Sequence, residues 1–348
     1  MFKLIYGKPI GRKALLVISF FVPFLFLNGC WFKNSTEPQR TSGWEPLNNG
    51  IETLTVQSIA VAQQKPDVMY LGTLDGLYKT KDGGGQWSRI DETLTGHDIK
   101  CIALDPNDSE RLFVGTWGKG VFKSVNGGMS WNKVWQKGQD PRIYSLYLTS
   151  GARPILLAGT ENGLYRSEDF GETWKLSFVY GSIQAIAAQP DKPTRIFIGV
   201  RSHGIFKSDD GGVNWQKMNN GLFQSGDGVA TANSFVFHPQ NSSEIYISTG
   251  WVDLYKSIDG GENWKQFAYD LNEKKVVSLT VDPRNSQKLW AATLANGVFR
   301  SKDGGETWQQ FNAGLESVET KVICAGGGQK STVYLGTVGK GLYRYIDE

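Results

Sequence analysis

Six times along this chain of 348 residues an eight-residue box ends in tryptophan: TKDGGGQW at Trp87, SVNGGMSW at Trp131, SEDFGETW at Trp174, SDDGGVNW at Trp215, SIDGGENW at Trp264 and SKDGGETW at Trp308. Successive tryptophans lie 44, 43, 41, 49 and 44 residues apart. A unit repeated at this period cannot bury its own apolar face and has to stack on its neighbours, and the period is the length of one four-stranded propeller blade.

The stretch Val276 to Phe311 shows the strand pattern inside one repeat. Alternating apolar residues from Val276 to Val281 suit an inner strand, DPRNSQ a turn, KLWAAT a second strand, LANG a tight turn, GVFRS a third strand and TWQQF a fourth. No segment holds helical periodicity, so the expected class is all-β. Six boxes do not mean six blades. Residues 330–348 supply the second and third strands of a seventh repeat and stop as a box begins, while Trp44 in TSGWEPLNNG lies 43 residues before Trp87. The N-terminal segment is therefore the expected fourth strand of the C-terminal blade, closing a seven-bladed ring over residues 44–348 and hiding its sheet edges.

The box resembles the Asp-box, or BNR repeat, written S-x-D-x-G-x-T-W. The residue types suit a tight turn: Asp82, Asn126, Asp169, Asp210, Asp259 and Asp303 are expected to cap backbone N–H groups two residues ahead, with glycine supplying positive φ. Trp44, Trp87, Trp131, Trp174, Trp215, Trp264 and Trp308 would lie flat against a neighbouring sheet. The repeated carboxylates lack EF-hand spacing and read as structural, so neither a metal nor a cofactor is expected. A small residue 14 positions after the tryptophan also recurs, as Ser58, Cys101, Ser145 and Ser278.

Upstream of the repeats, Lys3, Lys8, Arg12 and Lys13 precede an apolar run from Ala14 to Leu27, and LNGC follows. This is similar to a lipoprotein signal over residues 1–29, with Cys30 lipidated and residues 30–43 a tether. It implies a bacterial cell-envelope protein anchored by lipid, in the outer membrane because Trp31 rather than Asp follows the cysteine. Loss of the signal leaves 33 Lys and Arg against 34 Asp and Glu, which gives no electrostatic support for nucleic-acid or anionic-membrane binding. Cys101 and Cys324 are left as two thiols or a disulfide, and their places in the second and seventh blades argue against bonding. No Cys/His cluster suggests zinc.

Propellers bind ligands on the face formed by the loops between second and third strands and the loops between blades. Those loops carry the candidate residues Lys119, Glu161 and Asp253, and Trp117, Arg201, His203, Trp251 and Lys340 beyond what a turn requires. The long segment from Asn219 to Asn233, containing Phe223, accounts for the 49-residue spacing and reads as an extended binding loop.

Among Asp-box proteins, sialidases are usually six-bladed and carry an Arg-Ile-Pro style motif, of which only TRIF at Thr194 remains here. Xyloglucanases of this type set two catalytic aspartates in a cleft between two seven-bladed domains, whereas this chain holds one. The photosystem II assembly-factor family and the sortilin-like ectodomains, single-propeller or propeller-based binding proteins, resemble it better in size, anchor and blade count. That resemblance implies a monomeric, non-catalytic scaffold for an envelope protein, peptide or glycan. The competing expectation is a glycoside hydrolase or lectin-like domain stacking sugars on Trp117 and Trp251.

Overall fold

Each repeat closes on itself as a four-stranded antiparallel sheet, because short apolar runs separated by glycine turns pair with the nearest strand in sequence. The computed structural model describes residues 43–135, 141–226, 228–249, 254–326 and 330–347. Residues 1–29, Cys30, the tether up to residue 42, Trp251 and Asp253 lie outside the described residues. In blade six the strands are Val276–Asp282, Asn285–Thr293, Gly297–Ser301 and Gln309–Gln310. The expected DPRNSQ turn is thus shorter than its sequence suggests, because Asn285 already pairs with Asp282. Among the described residues the only helical turns are the 3₁₀ segments Glu92–Leu94 and Tyr269–Leu271.

The first strands, Val56–Val61, Ile99–Leu104, Ile143–Leu148, Ile183–Gln189, Ser234–His238, Val276–Asp282 and Thr320–Gly326, stand side by side in a ring, the last returning to the first. Seven blades are present, and the seventh is composite: Thr320–Gly326, Ser331–Thr337 and Leu342–Asp347 are completed by Glu45–Pro46 from the other end of the chain. Glu45 pairs with Arg344 and Pro46 with Tyr343.

The core is divided among the blade interfaces, one apolar cluster to each. Between blades one and two, for example, Tyr70 and Leu77 meet Leu112, Val114 and Trp131. The box tryptophans sit in these layers. The indole N–H of Trp174 donates to Val134 O at 2.9 Å, that of Trp264 to Met218 O at 2.9 Å and that of Trp215 to Ser177 Oγ at 3.1 Å, each on the preceding blade.

Inside the box the bonding differs from the expected two-residue cap. In blade six Ser301 Oγ donates to Asp303 Oδ1 at 2.7 Å and accepts the N–H of Gly305 at 2.9 Å, while Asp303 Oδ1 accepts the N–H of Thr307, four residues ahead, at 2.9 Å. The same triad recurs from Thr80, Ser124, Ser167, Ser208 and Ser257. The reach is longer because two consecutive residues with positive φ, Gly304 and Gly305 here, carry the backbone around the carboxylate. In the third box Phe170 takes the first of these positions at φ 57°, with the Arg111 guanidinium 4.1 Å above its ring.

A basic residue in the third strand then ties each of several blades to the next box. Lys79 Nζ donates to Gly127 O at 2.6 Å, Arg166 Nε to Gly211 O at 2.7 Å and Lys207 Nζ to Glu262 at 2.7 Å, and Lys123 pairs with Glu172.

Candidate functional site

The recurring small residue, Ser58, Cys101, Ser145 or Ser278, is held at a bulge. In six first strands the register slips by one residue just before it, as between Ile99 and Cys101 or between Thr320 and Val322. The position faces glycine on the second strand in most blades: a Cβ on Gly115 would come within 2.5 Å of both Cys101 Sγ and Ile143 Cγ2. Where the residue is serine it bridges blades, as Ser58 Oγ donating to Ile99 O at 3.3 Å and Ser278 Oγ to Ile323 O at 3.3 Å. Cys101 and Cys324 are free, and burial pushes both thiols up to about 12.

A bulge re-aims the extra residue. The residues set free of the ladder are Gln57, Lys100, Tyr144, Gln184, Val277 and Lys321, all at the end of the first strand that adjoins the interblade loops. Lys321 and Lys100 belong to blades seven and two, on either side of blade one. Protein packed around the Lys321 ammonium lowers its pKa, nearby Lys100 lowers it further, and Asp98 opposes both. Lys321, Lys100 and Asp98 therefore lie within electrostatic reach of one another on the loop face.

Trp117 stands at the same rim, 39% exposed. Its backbone N–H donates to Asp98 O at 3.0 Å and its chain pairs with Arg142. Lys100 Nζ and the Arg142 guanidinium each lie 4.9 Å from its ring centroid, and Tyr144 meets it edge-on at 5.3 Å and 84°. Lys100 Nζ also reaches Asp98 Oδ2 at 3.0 Å, and the Arg142 backbone N–H donates to Glu161 Oε2 at 2.8 Å. The cluster is thus a cation-rich aromatic patch, held by cation–π contacts of a type that strengthens as water is excluded. An indole engaged in this way does not stand free as a sugar-stacking platform would.

Of the residues singled out in the sequence, the structure brings Trp117 and Glu161 together through Arg142, with Lys119 exposed on the turn beside them. Arg201, His203 and Phe223 gather elsewhere. The segment from Asn219 to Asn233 is not simply extended: it folds back as a hairpin, Gln224–Ser225 against Gly228–Val229, and Val229 pairs with His203. His203 Nδ1 lies 2.8 Å from Arg201 O, and Phe223, 58% exposed, donates its backbone N–H to Tyr255 Oη at 3.2 Å. Lys340 pairs with Glu316 at 3.4 Å on blade seven. Sequence reading missed Asp98, Lys100, Arg142, Tyr144 and Lys321. For Lys100, Tyr144 and Lys321 the signal was the variable residue immediately before the bulged position.

The loop face also carries most of the large apolar side chains left in solvent: Leu74, Trp117, Val179, Tyr180, Phe223, Tyr269, Leu294 and Val318. Among the described residues no group of His, Cys, Asp and Glu is arranged to hold a metal ion.

Comparison with known proteins gives two kinds of relative. Residues 36–345 match the model of the family described as photosynthesis system II assembly factor YCF48. Xyloglucanase Xgh74A of Acetivibrio thermocellus is 24% identical over 204 residues, 51% of this chain and 22% of the enzyme. The chain thus spans under a quarter of the length of that curated relative. Among solved structures, YCF48 from Cyanidioschyzon merolae aligns with a TM-score of 0.67 at 15% identity, over 87% of this chain and 98% of that one. YCF48 bound to D1 peptide aligns at 0.64 and 17%, over 88% and 97%. The GH74 enzyme of Niastella koreensis aligns at 0.69 and 20%, over 84% of this chain but 52% of that one. At these identities the structural likenesses show the fold.

Proposed function

The chain belongs to the photosynthesis system II assembly factor YCF48 family, and from that premise we propose that it is a non-catalytic scaffold that binds a polypeptide segment on its loop face. The observation carrying this is the patch of Trp117, Lys100, Arg142 and Tyr144, on a loop face that exposes apolar side chains on several of its loops. Apolar anchors beside cations on a rigid frame suit a peptide with both apolar and acidic groups. A structural neighbour of nearly equal length was solved with a peptide bound, which supports the same reading.

Glycoside hydrolysis is the second reading, motivated by the xyloglucanase relatives. It needs a carboxyl group of raised pKa as general acid. Among the described residues, every carboxylate with a displaced pKa is displaced downward, from Asp82 to Asp303, in most cases against the effect of burial and through hydrogen bonds and basic neighbours.

We further propose display at the bacterial cell envelope through lipid on Cys30, supported by the signal-like segment alone. Protein beginning at Lys33 should bind members of an octapeptide library and lose them with Trp117→Ala, while leaving xyloglucan intact. Xyloglucan turnover would overturn the binding reading. Labelling with an alkynyl fatty acid should mark the full-length protein and not Cys30→Ser.

A further inference from the structure

We propose that Asp98 is a built-in counter-ion: it holds the place, in the unliganded protein, that a carboxylate of the bound polypeptide takes between Lys100, Lys321 and Arg142. This rests on the reading of the loop face as a polypeptide-binding surface.

The cluster is short of negative charge. Lys100 pairs with Asp98, the Arg142 guanidinium lies on the Trp117 ring, Lys321 is within electrostatic reach of Lys100 and Asp98, and Glu161 spends one oxygen on the backbone N–H of Arg142. Asp98 satisfies one cation directly, with Oδ2 3.0 Å from Lys100 Nζ. Its other oxygen, Oδ1, is buried and has no hydrogen-bond partner among the described residues. A buried carboxylate oxygen left unbonded is costly, so this arrangement is poorer than one in which Asp98 swings out and Oδ1 accepts from water. Lys321 is exposed, yet the protein around it lowers its pKa. Its ion pairs with neighbouring carboxylates are absent among the described contacts, while Asp98 is close enough to stabilise its charge.

An incoming carboxylate resolves these mismatches together. It meets Lys321 and Arg142, releases Asp98 toward solvent or toward Lys100 alone, and leaves the Trp117 ring as the wall of the subsite. Bulges put the two lysines there, and no other first strand carries a cation at that position. The carboxylate has two sources, a chain terminus or an acidic side chain. The subsite chemistry is common to both.

The test uses the octapeptide library in two forms, C-terminal free acid and C-terminal amide, with Asp- or Glu-containing members scored separately. Free acids, acidic members or both should be preferred over neutral amides. Asp98→Asn should tighten binding of the preferred class roughly two- to fivefold, the size of one competing exposed ion pair. Lys321→Gln, at a solvent-exposed position, should abolish the preference without changing the melting temperature. Free acids binding only as amides do, with acidic members scored apart, assigns the side chain as source; the converse assigns the terminus. Peptides that bind with no regard to either carboxylate, or an Asp98→Asn protein that folds and binds acidic peptides more weakly, overturn the inference and leave the scaffold reading standing. Absence of any bound peptide overturns both.

Discussion

Trp44 donates its indole N–H to the carbonyl of Phe311, 267 positions further along the chain, at 2.9 Å. The same ring packs edge-on against Trp290 at 6.1 Å, and its own backbone N–H donates to Ala313 O at 2.8 Å. Blade six thereby receives the tryptophan of blade seven as it would receive any other, though this one arrives from the opposite end of the polypeptide. Asn48 extends the closure, accepting the N–H of Leu342 at 2.8 Å and donating to Lys340 O at 3.0 Å.

Trp44→Ala should therefore destabilise the whole ring and not merely one edge, by about 3–5 kcal/mol as for other large-to-small changes in a core. Chemical denaturation should show a lower midpoint and one cooperative transition. A truncation starting at Ile51 should melt lower still, and an unchanged melting temperature would refute the closure.

The boxes predict a specific acid sensitivity. Hydrogen bonds from the Thr307 hydroxyl and N–H and from Ser301 hold Asp303 down at about 2, against 3.8 when free. A carboxylate depressed in the folded state contributes stability that is fully present above the free value and lost as the pH falls through the folded one. Asp82, Asp169, Asp210 and Asp259 are shifted the same way, so stability should drop between about pH 4 and pH 2. Asp303→Asn should flatten part of that drop, since Asn126 already fills the role in box two without titrating. Ser301→Ala, by contrast, should cost about 1–3 kcal/mol at neutral pH by stranding the buried N–H of Gly305.

Cys101 and Cys324 should resist thiol reagents in the native protein, because burial raises both to about 12 and leaves almost no thiolate at neutral pH. Titration with a chromogenic disulfide should count no fast thiol from Cys101 or Cys324 before denaturant is added and both after it. Rapid native reaction at either would show that the ring opens locally.

Much of this was written in one dimension. The spacing of Trp87 to Trp308, with Trp44 one period upstream, is enough to count blades and to assign the first residues of the ring to its last sheet, because a repeat that stacks only on its neighbours leaves its period in the sequence. The hydroxyl, the Asp or Asn and the glycine of each box are likewise legible, as local hydrogen bonds need only local residues. What sequence alone left undecided were contacts between residues that share no period. The box carboxylate reaches four residues ahead rather than two because the route of the backbone between them is a three-dimensional fact. The segment from Asn219 to Asn233 folds as a hairpin on His203 because Val229 finds a partner on another loop. Lys100, Lys321 and Asp98 come within electrostatic reach of one another because bulges turn two lysines out of their ladders and closure of the ring sets blade seven two places from blade two. Composition and spacing determined the scaffold; only the closed ring decided which charges would face one another across it.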